Sequence, residues 1–327
     1  MHITGDKLKK WMLKLAPIVM LCACTSQQNQ PLQSSHSSEF PELLKHFKTL
    51  SSTDLQGRKT QTIGSVRTQQ YLMSALSKAN ILPFNGSYQH KFSFDKFSET
   101  VTGINIIGFI PCSISICEHN IILSAHYDHL GQPTNSRTYY GADDNASGTA
   151  ALLSIAERLS VEPLHYNVLV LFTDAEEMNL KGAKSFISSN PMTIDNALIN
   201  INMDMLAGAE DTKTLHYISR GIEALLGDKR KELTQLIRQQ PIKVEKNFRG
   251  EASGSRLSKR MWIEASDHGA FNRKNIPFIY FGVGIHKNYH TVNDTYENAN
   301  KIMLIGATKT VYDVIKFMDN EIIRTNR

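Results

Sequence analysis

Side chains able to bind a metal ion occur in five short segments of this 327-residue chain. The first segment, residues 124–129, reads SAHYDH and places His126 directly after an apolar run, with Asp128 two residues later. A carboxylate at that spacing can accept a hydrogen bond from one imidazole nitrogen and leave the other nitrogen free for a metal. Since a lone His-x-Asp pair is more often a surface or capping pair, this segment is weak evidence when taken alone.

The second and third segments are acidic. Residues 141–148 read GADDNASG, in which two adjacent acids either cap the following helix or form a tight turn that points one carboxylate inward. A carboxylate has two oxygens, so one inward Asp could bridge two cations. Residues 172–177 read FTDAEE, and the adjacent Glu176 and Glu177 follow an apolar run. One of them can bind a metal while the other removes a proton from water, although a solvated acidic loop is the commoner explanation of such a pair.

The fourth and fifth segments add one carboxylate and one imidazole. Asp204 ends an apolar run between Met203 and Met205, where a carboxylate is costly unless it is paired or bound to a metal. His290 lies in residues 289–295, which read YHTVNDT. Together the five segments supply two His, three carboxylates and a further Glu. Such ligands suit Zn²⁺, and two zinc ions about 3.5–4 Å apart that share a carboxylate form a known hydrolytic arrangement.

Short apolar runs rich in Ile, Val, Leu and Phe predict the strands that would position these segments. They lie at residues 105–110, 121–125, 167–172, 198–203 and 276–281. Helical spacing of apolar residues occurs at residues 40–50, 64–80, 148–159, 181–188 and 298–320. This alternation predicts an α/β fold with a doubly wound, mostly parallel sheet flanked by helices, in which ligands bind at the carboxyl ends of the strands. Residues 209–265 are less regular and predict an insertion or a helical excursion beside the site, not a separate domain.

The first 38 residues predict export. A basic segment and the apolar residues 13–23 are typical of a secretory signal, and the apolar part is shorter than the roughly 20 residues of a membrane-spanning helix. Residues 21–24 read LCAC and resemble a bacterial lipobox, which implies a signal peptide of residues 1–23 and a lipid anchor on Cys24 that associates with a membrane. A plain cleaved signal or an uncleaved anchor is the alternative. The residue after Cys24 is Thr25 and not Asp, which in a Gram-negative cell would indicate the outer membrane. The periplasm is the other location.

The remaining chain divides into a tether and one folded domain. Residues 24–38 are rich in Gln and Ser and predict a flexible tether, and residues 39–327 predict the domain. Residues 1–23 carry four Lys and one Asp, so their removal lowers the formal net charge from +5 to +2, which gives no indication of nucleic acid binding. The basic stretch at residues 229–260 is explained by a solvated surface, with contact to an acidic group as the alternative.

Cys112 and Cys117 are the cysteines that remain in the domain, out of four in the chain. Export permits a disulfide between them. A zinc site at this pair is disfavoured because no further Cys is present to complete it.

Six sequence motifs of this chain closely resemble peptidase family M28, the aminopeptidase Y-like zinc peptidases. They are SAHYDHLG, GADDNASG, TDAEE, NMDM, SDHGAF and YHTVNDT, in the order of the family and over about residues 50–318. Residues 55–58, which read LQGR, and the following Gly64 also resemble the start of that family. The resemblance implies the zinc-dependent exopeptidase fold, two zinc ions per chain and a peptide substrate.

The resemblance also assigns a role to each matching residue. His126 and Asp204 would bind the first zinc ion, Glu177 and His290 would bind the second, and Asp144 would bridge the two. Glu176 would act as the general acid and base. Asp128 would be the partner of His126, and Tyr289 would steady the oxyanion. The resemblance further implies a cis peptide between Asp144 and Asn145, and it places Asp267 and His268 near the site.

Four functions are compatible with this set of residues. An aminopeptidase that releases N-terminal residues is the first, and a glutaminyl cyclase with one zinc ion on the same fold is the second. The basic stretch leaves a carboxypeptidase-like preference open. A binding module that has lost its metal ligands is disfavoured because all five ligand positions and Glu176 are present. The sequence predicts no oligomeric state and no preferred side chain.

Overall fold

The computed structural model describes residues 39–114, 117–134, 136–248 and 261–325. The predicted signal and tether, residues 1–38, lie outside the described residues, as do residues 249–260 of the basic stretch. Within the described ranges, no helix combines the length and apolar character that crossing a membrane requires.

The described elements alternate between strands and helices. The strands are β1 (Leu82–Pro83), β2 (Gln89–Lys96), β3 (Glu99–Ile110), β4 (Asn120–His126), β5 (Gly131–Thr134), β6 (Arg137–Tyr139), β7 (Asn167–Thr173), β8 (Ala197–Met203), β9 (Thr214–Arg220), β10 (Lys243–Lys246) and β11 (Phe278–Gly282). The helices are α1 (Leu43–Leu50), α2 (Ile63–Lys78), α3 (Gly148–Val161), α4 (Lys181–Ser189), α5 (Pro191–Asp195), α6 (Ile222–Leu226), α7 (Arg230–Arg238), α8 (His268–Asn272) and α9 (Lys301–Thr325). Each predicted strand and helix is present, although the strand predicted at residues 105–110 is only the second half of β3.

Nine of the described strands form one sheet in the order β1-β3-β7-β4-β8-β11-β9-β10, and β2 pairs with β3. The four central strands β7, β4, β8 and β11 are parallel. On the two sides of this centre, β3 and β9 run antiparallel to β7 and β11. The predicted α/β sheet is therefore confirmed, but its parallel pairing is confined to the centre and to the β9–β10 pair.

Both faces of the central strands are buried. Successive side chains of a strand point to opposite faces, and in β7 Val168 and Val170 join one apolar cluster while Leu169 and Leu171 join another. Helices α1, α2, α3 and α9 supply side chains to the first cluster, and α4 and α8 supply them to the second. Helices thus cover the two faces, which explains why the residues of these strands are mainly apolar and buried on both faces.

The segment predicted to be irregular at about residues 209–265 contains regular structure. Its described part includes β9, α6, α7 and β10, and β9 and β10 extend the main sheet beyond β11. The sequence provided no indication of β9 because this strand is not an apolar run. Its buried Leu215 and Tyr217 alternate with the half-buried Thr214 and His216, a pattern that a search for apolar runs does not detect.

A disulfide joins Cys112 and Cys117 in the connection between β3 and β4. The sequence left a disulfide or a zinc site as explanations of this pair, and the structure contains the disulfide.

The parallel centre brings the ends of several strands to one edge of the sheet. His126, the last residue of β4, pairs with Thr173, the last residue of β7. Met203, the last residue of β8, pairs with Phe281 of β11. The segments that follow these strands therefore begin side by side, and they carry most of the candidate ligands.

Candidate metal centre

His126 faces two carboxylates from the end of β4. Its Nε2 lies 3.4 Å from Oδ1 of Asp144 and 3.2 Å from Oδ1 of Asp204. Its Nδ1 lies 3.1 Å from the backbone carbonyl oxygen of Asp128. This contact leaves Nε2 as the atom available to a metal, as a ligating histidine requires.

The carboxylate of Asp128 lies beside its predicted partner His126, but its hydrogen bonds go to two other groups. Its Oδ1 lies 3.7 Å from Nδ1 of His126, beyond hydrogen-bond distance. Instead it accepts the backbone N–H groups of Glu176 and Glu177, at 3.0 and 3.3 Å. The reason is the pairing of His126 with Thr173, which places the loop after β4 against the loop after β7. Asp128 therefore positions the two glutamates through its carboxylate, and its carbonyl group makes the shorter contact with His126.

The GADDN turn sends its two adjacent acids in different directions. The backbone N–H groups of Asp143 and Asp144 donate to the two carboxylate oxygens of Asp294, at 2.8 and 3.1 Å. The Asp143 carboxylate accepts the backbone N–H of Ala207 at 2.7 Å and is fully buried. Asp144 is left to face the imidazoles. The Asp144–Asn145 peptide is cis, as the resemblance implied.

Arg58 ties this turn to the loop after β4. Its guanidinium is fully buried and donates to the carbonyl oxygens of Leu50 (2.6 Å), Tyr127 (2.8 Å), Tyr140 (2.7 Å) and Gly141 (2.7 Å). Tyr127 follows His126, and Gly141 begins the GADDN turn. The sequence indicated Arg58 only as part of a family-like LQGR segment, and its contacts show why an arginine stands there.

The ligand-type atoms converge in two groups. His129, Asp144, Glu177 and His290 form one, and His126, Glu176 and Asp204 form the other, with the ligand atoms of each group within 4.8 Å of one another. Asp144 links the groups, because its Oδ1 faces His126 and its Oδ2 lies 3.0 Å from Nε2 of His290. The structure thus brings together all six residues that the sequence selected as ligands and base.

His129 is a member of the site that the sequence reading missed. Its side chain is buried, and its Nδ1 lies 2.8 Å from Oε1 of Glu177 and 3.6 Å from Oδ2 of Asp144. The residue is visible in the SAHYDHLG motif, three positions after His126. Its direction depends on the path of the loop after β4, so the motif alone could mark it as a candidate but not as part of one group.

The electrostatics of the two groups favour a cation. Burial raises the pKa of Glu176 well above its usual range and also raises the pKa of Asp204. Burial acts to raise the pKa of Asp144 as well, but His129, His126 and His290 outweigh it and lower that pKa well below its usual range. Within the described residues, no Lys or Arg forms an ion pair with these acids. Four buried or half-buried carboxylates whose cationic partners are imidazoles alone among the described residues fit divalent zinc, which takes nitrogen and oxygen ligands.

Tyr289, Asp267 and His268 lie around the groups without joining them. The Tyr289 ring stacks on that of His290, with centroids 3.9 Å apart, and lines the cavity beside it. Asp267 accepts a hydrogen bond from the Thr173 hydroxyl, and burial raises its pKa to about 7. His268 is fully buried, and its Nε2 lies 2.9 Å from the Trp262 carbonyl oxygen.

A cavity of about 310 Å³ opens onto both groups. Its polar wall consists of Asp144, Glu176, Glu177, Asp204, Tyr289 and His290. Its other wall is mainly apolar and consists of Met205, Met261, Trp262, Ala265, Tyr280 and Ile285. A ligand in this cavity would meet both ionisable side chains and apolar side chains.

Comparison with known proteins matches the same part of the chain. The model of peptidase family M28 matches residues 105–315, more than half of the sequence. Aminopeptidase YwaD of Bacillus subtilis is 25% identical over 234 residues, which cover 66% of this chain and 45% of that protein. The chain spans about half the length of the curated relatives that it matches.

Solved structures share the fold. A leucine aminopeptidase precursor from Bacteroides thetaiotaomicron has a TM-score of 0.64 and 20% identity, covering 84% of this chain and 96% of that chain. A glutaminyl cyclase from Fimbriiglobus ruber has a TM-score of 0.67 and 18% identity, covering 85% of this chain and 94% of that chain. At these identities the likeness establishes only the shared fold. The two similar structures have different activities, one an aminopeptidase and the other a glutaminyl cyclase.

Proposed function

This chain belongs to peptidase family M28, and from that premise we propose that it is a two-zinc aminopeptidase that removes N-terminal residues from peptides. The observation that carries the proposal is the position of Asp144, whose two carboxylate oxygens face different groups of ligand-type residues. One carboxylate between two sets of ligands is the arrangement that a two-metal hydrolytic site needs.

The residues divide between the two ions as follows. His126 Nε2, Asp204 Oδ1 and Asp144 Oδ1 would hold the first zinc ion. His290 Nε2, Glu177 Oε1 and Asp144 Oδ2 would hold the second. When bound, zinc polarises a peptide carbonyl and lowers the pKa of water at the site.

Glu176 is the general base in this proposal. It belongs to the same group as His126 and Asp204, and it lines the cavity where a peptide would bind. Its carboxylate would take a proton from the attacking water and deliver it to the leaving amine. The hydrogen bond from its backbone N–H to Asp128 supports this assignment, because it fixes the start of the glutamate pair relative to His126.

The cavity suits a peptide with a free N-terminus and an apolar first side chain. Glu176 and Asp204 would attract the α-ammonium group, and Tyr289 would donate a hydrogen bond to the oxyanion at the scissile carbonyl. The apolar wall would take the side chain of the first residue. The likeness to aminopeptidase YwaD over 66% of this chain supports the same substrate class.

A glutaminyl cyclase is the second candidate, because such an enzyme shares the fold over 85% of this chain. Like the aminopeptidase, it would act at a free N-terminal amine, but it would close an N-terminal Gln into a ring and would use one zinc ion. The number of zinc ions per chain and the reaction product therefore separate the two candidates.

The test combines metal content with a panel of substrates. Purified protein is assayed on aminoacyl-arylamides, N-blocked peptides and a peptide with N-terminal Gln, with and without a chelator. We expect two zinc ions per chain and chelator-sensitive cleavage of the free-amine substrates. Glu176→Gln should lose about 100- to 10,000-fold in activity, since a positioned acid–base group contributes about 10²–10⁴-fold. Cleavage of only the N-blocked set would reject the aminopeptidase, and one zinc with cyclised product would select the cyclase.

A further inference from the structure

His129 has no role in the proposed reaction, yet its imidazole points into one of the two ligand groups. We propose that His129 binds, through Nδ1, the zinc ion assigned to Asp144, Glu177 and His290, as its fourth protein ligand. This inference rests on the proposed function, which supplies the two ions. It gives one metal position four protein ligands and the other position three.

The distances between donor atoms support a four-ligand site. His129 Nδ1 lies 2.8 Å from Glu177 Oε1 and 3.6 Å from Asp144 Oδ2. His290 Nε2 lies 3.0 Å from that Asp144 oxygen and 3.4 Å from that Glu177 oxygen. A tetrahedral zinc ion with bonds of about 2.0–2.2 Å separates its ligand atoms by roughly 3.3–3.6 Å. Two of the four observed separations, 3.4 and 3.6 Å, lie within this range, and the other two, 2.8 and 3.0 Å, are shorter. The four donor atoms are thus close enough to surround one ion.

The surroundings of the His129 imidazole leave Nδ1 as the nitrogen that can bind a metal ion. Nε2 is buried and has no hydrogen-bond partner among the described residues. Gly141 packs closely against the His129 ring. A Cβ added to Gly141 would lie 2.5 Å from Cδ2 and from Cγ of His129. The ring is therefore held by close packing with Nδ1 directed between the two carboxylates. A histidine that only donated a hydrogen bond to Glu177 would not also need to approach Asp144 and the His290 ring, whose centroid is 5.6 Å away.

Among the described residues, the first zinc position has no such fourth ligand. His126, Asp144 and Asp204 supply three donor atoms, and the fourth member of that neighbourhood, Glu176, is the proposed base. Zinc sites closed by four protein ligands are typically structural, whereas catalytic sites hold three protein ligands and keep one position open. The geometry therefore predicts one tightly held ion beside His129 and one more labile ion beside His126, where the substrate would meet the metal.

Metal titration of the His129→Phe protein tests the inference without relying on activity. Metal-free protein is titrated with Zn²⁺ against a competing chelator, and His119→Phe, at an exposed histidine, is the matched control. We expect two zinc ions in both the wild type and the control. In His129→Phe the tighter of the two affinities should fall by more than about 100-fold, since even residues that only orient a ligand change metal affinity by about 10–100-fold. Two unchanged affinities would overturn the inference.

A second variant separates direct ligation from a hydrogen bond and avoids dependence on a bulky ring. In His129→Cys loaded with two Co²⁺ ions, a thiolate bound to cobalt produces an intense near-ultraviolet charge-transfer band. The control Tyr289→Cys, at a cavity position outside the ligand groups, should lack that band. A fully loaded His129→Cys protein without the band would show that position 129 does not reach the metal.

The two proposals fail in different ways. A wild-type chain that binds two zinc ions but cleaves no peptide overturns the proposed function alone. A wild-type peptidase whose two zinc affinities are the same with and without His129 overturns this inference alone.

Discussion

The carboxylate of Asp128 accepts the backbone N–H of Glu176, with Oδ1 and N 3.0 Å apart. The same carboxylate accepts the N–H of Glu177 at 3.3 Å. One buried side chain from the loop after β4 thus holds the backbone of both the proposed base and a proposed ligand. Catalysis is sensitive to such supports, because a small displacement of a reacting group changes the rate strongly.

Asp128→Asn should therefore impair turnover more than folding. The amide can turn only one acceptor oxygen toward the two N–H groups, so one of them loses its partner. We expect kcat/KM on an aminoacyl-arylamide to fall about 10–100-fold, the range for residues that orient metal-site groups. Asp228→Asn, at an exposed position, is the control and should leave kcat/KM unchanged. A loss of less than about threefold in kcat/KM, which corresponds to about 0.65 kcal/mol, would contradict this role.

Arg58 is expected to matter for stability. In Arg58→Met, four carbonyl groups of two metal-site loops and α1 lose their donor. Leaving a buried polar group unpaired costs about 1–3 kcal/mol, and partial access of water reduces the sum. Urea unfolding of metal-free protein should show a loss of about 3–5 kcal/mol. Arg67→Met, which removes an exposed hydrogen bond to the Asp54 carbonyl, should change the free energy of unfolding by about 0.5 kcal/mol or less.

Much of the fold was predictable because the central strands are mainly apolar in sequence. Each residue of β4 is buried, and between Asn120 and His126 its sequence is apolar except for Ser124. β9 was missed because it is half-buried and its polar residues interrupt the run. Apolar runs indicate strands that are buried on both faces of a sheet. They do not indicate half-buried strands such as β9.

The site was predictable as a set of residues and less so as a set of contacts. The ends of β4, β7 and β8 place His126, Glu176 and Asp204 at one edge of the sheet, which follows from strand order. The partner of the Asp128 carboxylate and the direction of His129 depend on how two loops pack against each other. Local sequence does not encode that packing, because it is set by strand pairing and by Arg58.

His268 should make stability depend on pH. Burial lowers its pKa to about 4, from about 6.5 in an unfolded chain. The unfolded state therefore binds a proton more readily between these values, so the contribution is complete above pH 6.5 and is lost as pH falls toward 4. Between pH 7 and pH 5 this group should lower the free energy of unfolding of metal-free protein by about 2 kcal/mol.

The contribution of His268 is isolated by comparison with His268→Phe, which keeps an aromatic ring against Tyr280. Urea unfolding of both proteins at pH 7 and pH 5 gives two differences. We expect the pH-dependent loss to be about 2 kcal/mol smaller in the variant. Equal losses would mean that His268 does not bind its proton differently in the two states.

We also propose that the chain is exported and anchored through a lipid on Cys24. Cells expressing the protein are supplied with a labelled fatty acid, and the protein is recovered from membrane and soluble fractions. The wild type should carry the label and fractionate with the envelope membrane, whereas Cys24→Ala should lose the label. Cys22→Ala is the control, because it stays within the predicted signal. Label that persists in Cys24→Ala would exclude this anchor.

Ile285 should influence which first residue is preferred. It lines the apolar wall of the cavity, and 69% of it is exposed, so truncation to Ala should cost little stability. A leucyl substrate would lose apolar contact worth about 0.8 kcal/mol per buried CH₂ group, whereas an alanyl substrate is too short to make that contact. We expect kcat/KM for the leucyl-arylamide to fall about 5–10-fold in Ile285→Ala, with a change of less than about twofold for the alanyl-arylamide. Ile302→Ala, at a half-exposed position on α9 outside the cavity lining, should alter neither value. Equal losses on both substrates would place the first side chain elsewhere.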